Sequence, residues 1–181
     1  FWNFDNRSMW SNAHEGYILL SNNTKNIREW EQIVIPQGPF GFDHNKYNHA
    51  ASGDLNNDGF ADVVVAITRD LPYYEGAYVQ ILINNGQGKL IDMTDTNFSI
   101  QPRSDTHHGE GNIYLRDMNL DGHLDIVHST RDYNSGYHGS HIAINDGNGN
   151  FTSLLNSVLP NRPDPGYNNY DFLMKALPMN I

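Results

Sequence analysis

The sequence predicts an all-β fold built from repeated four-stranded units, and three observations carry that expectation. The chain matches itself at an offset of 63 residues, its apolar runs lack helical periodicity, and each repeat holds four strand-like stretches separated by Gly- and Asn-rich turns. A four-strand unit recurring about every 60 residues is the sequence form of a β-propeller blade, and it is too long for one coil of a solenoid. A β-sandwich is the other architecture of the same class.

The repeat is clearest where residues 53–62, GDLNNDGFAD, fall on residues 116–125, RDMNLDGHLD. Downstream, residues 63–65 meet residues 126–128, and residues 81–90, ILINNGQGKL, align with residues 142–151, IAINDGNGNF. Residues 17–23 sit 63 positions before residues 80–86, so a degenerate copy is already under way near Phe1. Advancing Asp117 by the same interval reaches Asn180, one residue into a further loop. The expected organisation is a single propeller segment of about three blades: a partial blade at 1–40, complete blades at 41–102 and 103–164, and the start of another at 165–181. With no basic-then-apolar leader after Phe1, the chain reads as a processed form or a piece of something longer.

Within one unit the elements follow in order. Residues 50–53 form a short small-residue strand, and an acidic loop comes next. Residues 61–66, ADVVVA, are a continuous β-branched run suited to a strand buried on both faces. Residues 77–83 make a third strand, residues 84–88 (NNGQG) a tight hairpin, and residues 89–93 a fourth strand.

The acidic loops carry the clearest chemistry. Asp54, Asn56, Asp58 and Asp62 place side-chain oxygens at positions 1, 3, 5 and 9, Gly59 permits the sharp turn at position 6, and Phe60 offers its carbonyl at position 7. The second loop supplies Asp117, Asn119, Asp121, Asp125 and the carbonyl of His123. Calcium takes about 6–8 oxygens, and short Asp and Asn side chains on one side of a loop converge to that radius where Lys or His cannot. An EF-hand starts alike but needs helices on both sides and an acid at position 12, where this chain has Val65 and His128. Three carboxylates gathered without a cation repel by up to about 4 kcal/mol per pair at an effective dielectric near 20, so an empty loop is expected to open or fray. Asp-Asn-Gly runs also make ordinary turns, and Asn is abundant here at 24 residues. The five-position pattern nevertheless arises by chance on the order of once in 100,000 windows, and it occurs twice in register. Two calcium sites are the expectation.

Composition removes other classes. The 21 acidic residues against 11 basic give a formal charge of -10, which argues against a phosphate-backbone partner, so no nucleic acid is expected. No run of about 18 apolar residues exists to span a membrane as a helix. Without cysteine, neither disulfides nor thiolate metal sites are available.

The loops GDLNNDGFADVVVA and RDMNLDGHLDIVHS, with ILINNGQGKL and IAINDGNGNF, resemble the FG-GAP or VCBS repeats of bacterial surface proteins and integrin alpha-chain propellers. The resemblance covers about residues 49–152 well and the flanks weakly. It implies a calcium-loaded propeller, typically seven-bladed, secreted or displayed at the cell surface, and used for adhesion, ligand binding or as an accessory module. A minority of such relatives are enzymes. The chain departs from the pattern in its first unit, whose hairpin at residues 21–25 lacks glycines, and in its missing third loop. Three blades also fall short of the roughly four that ring closure needs.

Alternating strand direction places the calcium loops on one face of a propeller and the 2-to-3 loops, with the crossovers at residues 43–49, 105–110 and 167–171, on the other. His44, Tyr73, Tyr74, His107, His108 and Tyr137 gather on that second face, where planar rings beside Asp, Asn and Arg suit a carbohydrate or protein ligand. Polar and aromatic loops serve solubility and blade packing equally well. The recurrence of Arg69-Asp70 as Arg131-Asp132 favours a loop brace over a catalytic pair, and no nucleophile elbow, phosphate loop or paired-acid motif stands out. An extracellular binding module is thus preferred to an enzyme. The alternative is a catalytic propeller of lyase or hydrolase type, with His107, His108 and Glu110 as acid/base groups. Sequons at Asn6, Asn22, Asn97 and Asn150 are glycan acceptors in a glycosylating secretory pathway. Open blade edges invite pairing into homo-oligomers or filaments.

Overall fold

The computed structural model describes residues 2–3, 16–20, 25–41, 44–69, 75–98, 112–129 and 140–154, and over them the chain is mostly antiparallel β-sheet with almost no helix. Strands β1 (Trp2–Asn3), β2 (Tyr17–Leu20) and β3 (Glu31–Val34) form a first sheet in sequence order. Strands β4 (Asn45–Gly53), β5 (Asp62–Arg69), β6 (Glu75–Asn84) and β7 (Leu90–Asp92) form a second. The third holds β8 (Ile113–Arg116), β9 (Asp125–Ser129), β10 (Ser140–Asn145) and β11 (Phe151–Leu154). Both four-stranded sheets are simple meanders, so the 1-to-2 and 3-to-4 connections share one end of each sheet. No helix of the described residues is long and apolar enough to cross a membrane.

Why the sheets stack follows from β5. Its residues are buried from Asp62 to Thr68, as the unbroken β-branched run predicts, and period-two alternation sends them to opposite faces. Val64 and Ala66 join Val79 and Ile81 of β6 against Ile113, Leu115, Ile126, Ala143 and Phe151 of the third sheet. Val63, Val65 and Ile67 turn the other way, with Tyr78, Leu82 and Leu90, toward Ile18, Ile33 and Ile35 at the first sheet. The direction of stacking repeats. Val63 and Leu82 face the preceding sheet, and their equivalents Ile126 and Ala143 do likewise. Val64 and Ile81 face the following sheet, while their equivalents Val127 and Ile142 lie on the far side of the third sheet with Tyr114, Met118 and Ile144.

Two local features differ from the sequence reading. The segment at 43–49, expected as a crossover, joins β4 from Asn45 onward. Its alternation is hidden by a bulge, since the register against β5 slips between Tyr47 and His49. Asn45 closes the turn before the strand: its side-chain oxygen accepts the Phe40 amide at 3.1 Å, and its nitrogen donates to the Gly41 carbonyl at 2.6 Å. The second difference is a one-turn helix, α1 (Thr94–Asn97), after β7. Asp92 accepts both the amide and the hydroxyl of Thr94, and that hydroxyl oxygen accepts the Ile81 amide at 2.9 Å, which pins the helix to β6. The 3-10 turn Ile27–Glu29 is capped in the same economical way, by the Asn26 side chain accepting the Arg28 amide.

The bulge also aims His49 at the next sheet. Its Nδ1 accepts the Ile113 amide at 3.1 Å, and its ring lies against Tyr114. An Nδ1 that accepts cannot be protonated, and burial pulls the His49 imidazole below its ordinary value. A histidine with a lowered folded pKa contributes stability that is whole above the unfolded value of about 6.5 and is lost as pH falls through the folded value. Urea titrations from neutral to acidic pH should therefore show wild type losing stability below about pH 6.5, with part of that loss absent from His49→Gln. Identical profiles for the two chains would contradict this.

Candidate metal centre

Loop 54–62 connects β4 to β5, loop 117–125 connects β8 to β9, and the two are hydrogen-bonded alike to within about 0.1 Å. Asp54 uses one carboxylate oxygen for the Asp58 amide at 3.1 Å and the other for the Gly59 amide at 2.9 Å; Asp117 does the same for Asp121 and Gly122 at 3.1 and 2.8 Å. Asp58 accepts the Phe60 amide, and Asp121 the His123 amide. Asn56 and Asn119 each accept the amide of the position-5 Asp and donate to its carboxylate. The winding needs left-handed backbone at two positions per loop: Asn57 at φ 59° with Gly59 at 88°, and Leu120 at 63° with Gly122 at 90°. A Cβ at Gly59 or Gly122 would meet no atom within 4 Å, so glycine is required there by its φ and not by space.

The position-9 carboxylates are different in kind. Asp62 and Asp125 are both 0% exposed. Asp62 accepts the Leu55 amide at 2.8 Å and the Asn84 amide at 2.8 Å, so it ties the start of its loop to the end of β6. Asp125 ties Met118 to Asn145 at 2.7 and 2.9 Å. Burial raises both carboxyls above the ordinary carboxylate range, the amides oppose that, and the like charges at positions 1 and 5 reinforce it. Asp121 is held low, chiefly by the His123 amide and then by the Asn119 side chain.

Among the described residues no three His, Asp or Glu side chains are gathered as a ready metal cluster. The loop oxygens instead face backbone amides. The chemistry of the donor set still suits a hard cation, because each carboxylate oxygen carries two lone pairs and an amide occupies only one of them. In each loop three carboxylates and an Asn oxygen lie within nine residues, with the position-7 carbonyl of Phe60 or His123 beside them.

Sequence reasoning assigned only a carbonyl to Phe60 and His123. Their rings also pack on the neighbouring 3-to-4 hairpin, where a Cβ at Gly86 would come within 2.7 Å of Phe60 and one at Gly147 within 2.6 Å of His123. The pairing of an aromatic ring at position 7 with the first hairpin glycine in both repeats was the available signal. Also missed was Asn145, which is buried and bridges units. Its nitrogen donates to the carbonyls of Leu124 and, in the preceding unit, Leu55, while its oxygen accepts the Gly147 and Gly149 amides.

The other expected site residues divide by position. His44 is a half-buried turn residue whose amide donates to the Gly41 carbonyl, at the end of β4 remote from the acidic loop. Tyr73, Tyr74, His107, His108 and Tyr137 lie outside the described residues, as do Asn6, Asn22 and the Asp70 of the expected loop brace. Asn97 donates to the Gly149 carbonyl across the unit boundary at 3.1 Å, and Asn150 is exposed, with its side chain on Asp146.

Asn145 and Asn84 occupy equivalent positions, but Asn84 donates only to Ala61 of its own unit and accepts only from Gly86. Asn145→Ala should cost about 2–4 kcal/mol in chemical denaturation, since it strands the buried Leu55 carbonyl, the half-buried Leu124 carbonyl and two buried amides, and Asn84→Ala about 1 kcal/mol. Equal losses would refute the bridging role.

No solved structure matches the chain. Residues 54–128, which run from the first acidic loop into β9 and so contain both loops, match the FG-GAP-like repeat.

Proposed function

We propose that the chain is a calcium-stabilised, propeller-type module of about three four-stranded blades, displayed outside the cell and used for adhesion or for binding a glycan or protein. The observation that carries this reading is the pair of acidic loops with the same internal hydrogen bonds, each closed by a fully buried carboxylate. Asp54, Asn56, Asp58, Asp62 and the Phe60 carbonyl would hold one ion, and Asp117, Asn119, Asp121, Asp125 and the His123 carbonyl the other. Calcium would supply charge neutralisation only. The residues themselves close the loop, set the face relation between units and exclude water from Asp62 and Asp125. The repeated stacking direction, each unit presenting one face forward and one back, supports a blade arrangement.

Ligand binding belongs to the opposite end of the strands in this reading, with His44, Tyr73, Tyr74, His107, His108 and Tyr137 as its contacts. The absence of a catalytic motif in the sequence favours a binding module over a lyase or hydrolase.

Isothermal titration of the chelator-treated chain with calcium should give two ions per chain, and Asp58→Ala and Asp121→Ala should each remove one. At dissociation constants of about 0.1–1 mM, usual for extracellular modules, millimolar calcium adds about 0.4–1.4 kcal/mol per site and raises the melting temperature. No heat and no thermal shift at millimolar calcium would overturn the proposal.

A further inference from the structure

Inside this chain one acidic loop docks on the hairpin of the next unit. Asn57, at the left-handed tip of loop 54–62, donates to the Gly147 carbonyl at 2.7 Å and pairs with His123 Nδ1 at 3.1 Å. The Leu55 carbonyl accepts from Asn145, and Asn56 packs against Gly149. Covered in this way, Asn145, Gly147 and Gly149 are all buried.

Among the described residues each half of that joint occurs once more, facing outward. The hairpin at 84–89 has the same Asn-x-Gly-x-Gly frame, yet Asn84, Gly86 and Gly88 are only half-buried, and the Phe60 ring lying on Gly86 is 46% exposed. Loop 117–125 has the same winding as its twin, and Leu120 at its tip is 57% exposed. Leucine in left-handed backbone costs roughly 1–2 kcal/mol where Asn is tolerated well. An exposed apolar side chain held there, where the other loop has Asn57, is set against both solubility and backbone preference.

The two outward halves also match each other. Where the internal joint pairs polar Asn57 with polar His123, the equivalent residues outside are apolar Leu120 and apolar Phe60. We infer that loop 117–125 of one molecule seats on hairpin 84–89 of a second copy of this chain, with Leu120 against Phe60 and the Met118 carbonyl accepting from Asn84. Unlike surfaces meet, so the contact is head-to-tail and the pair keeps one free loop and one free hairpin. The inference rests on the internal joint and not on the identity of any bound ion.

Sedimentation velocity of the full chain over a concentration series, in calcium-containing buffer, tests it. Wild type should grow beyond a dimer, and Leu120→Asp and Phe60→Glu should each weaken association by about tenfold or more, the loss expected for one buried apolar side chain. Both residues are exposed, so unchanged circular dichroism should confirm that the variants fold. Mixing the two variants is the decisive arm, because Leu120→Asp retains the intact hairpin and Phe60→Glu the intact loop. The mixture should form heterodimers at near wild-type affinity but nothing longer, because the two ends left over are both acidic and repel. A wild-type chain that stays monomeric throughout, variants that associate like wild type, or a mixture that behaves as its separate components would each overturn the inference.

Discussion

In each described repeat a carboxylate with no exposure to water joins an acidic loop to the third strand of its sheet. Asp62 and Asp125 each accept one amide from the second residue of the loop and one from the end of the third strand. Taking a carboxylate out of water costs several kcal/mol, and two amide bonds to a charged acceptor return about 1.5–3 kcal/mol each, so the amides roughly offset the burial. The repulsion from positions 1 and 5 is then left over. A cation held by the same loop, as proposed, would answer that residue of charge. The closure of each loop on its sheet and the seating of one unit on the next depend on this carboxylate staying where it is.

From the loop the consequence passes to packing. Closing loop 54–62 fixes Leu55, which is 0% exposed, in the core between the second and third sheets and presents its carbonyl to Asn145. The apolar faces of β5 then complete the stack on both sides. One buried Asn and one buried Leu thereby convert a local turn into a joint between units.

The fold was legible wherever periodicity and turn chemistry agreed. β5 announced itself by an uninterrupted β-branched run, and the hairpins at 84–89 and 145–150 by their glycines, which take φ between 74° and 86°. The acidic loops could be read because five residue types are each forced by one geometric need. What escaped was less local. The start of β4 was hidden by a bulge, and α1 by a Thr-Asp-Thr-Asn sequence that reads as a turn unless Asp92 is seen to hold Thr94. The bridging role of Asn145 cannot be read from its sequence context, because Asn84 stands in the same context without the bridge. The difference lies in whether a loop is packed over it.

Repetition in sequence is therefore not repetition in role. Phe60 and His123 both lie on a hairpin glycine, yet one ring is bare and the other meets Asn57. In the proposed function a divalent cation would meet the charge that buried Asp62 and Asp125 leave uncompensated. Diffraction from crystals grown in millimolar calcium measures this most directly. The account predicts one strong peak in each loop, about 2.3–2.6 Å from oxygens of positions 1, 3, 5 and 9 and from the position-7 carbonyl. Well-ordered loops holding only water there, with Asp62 and Asp125 still buried, would contradict it.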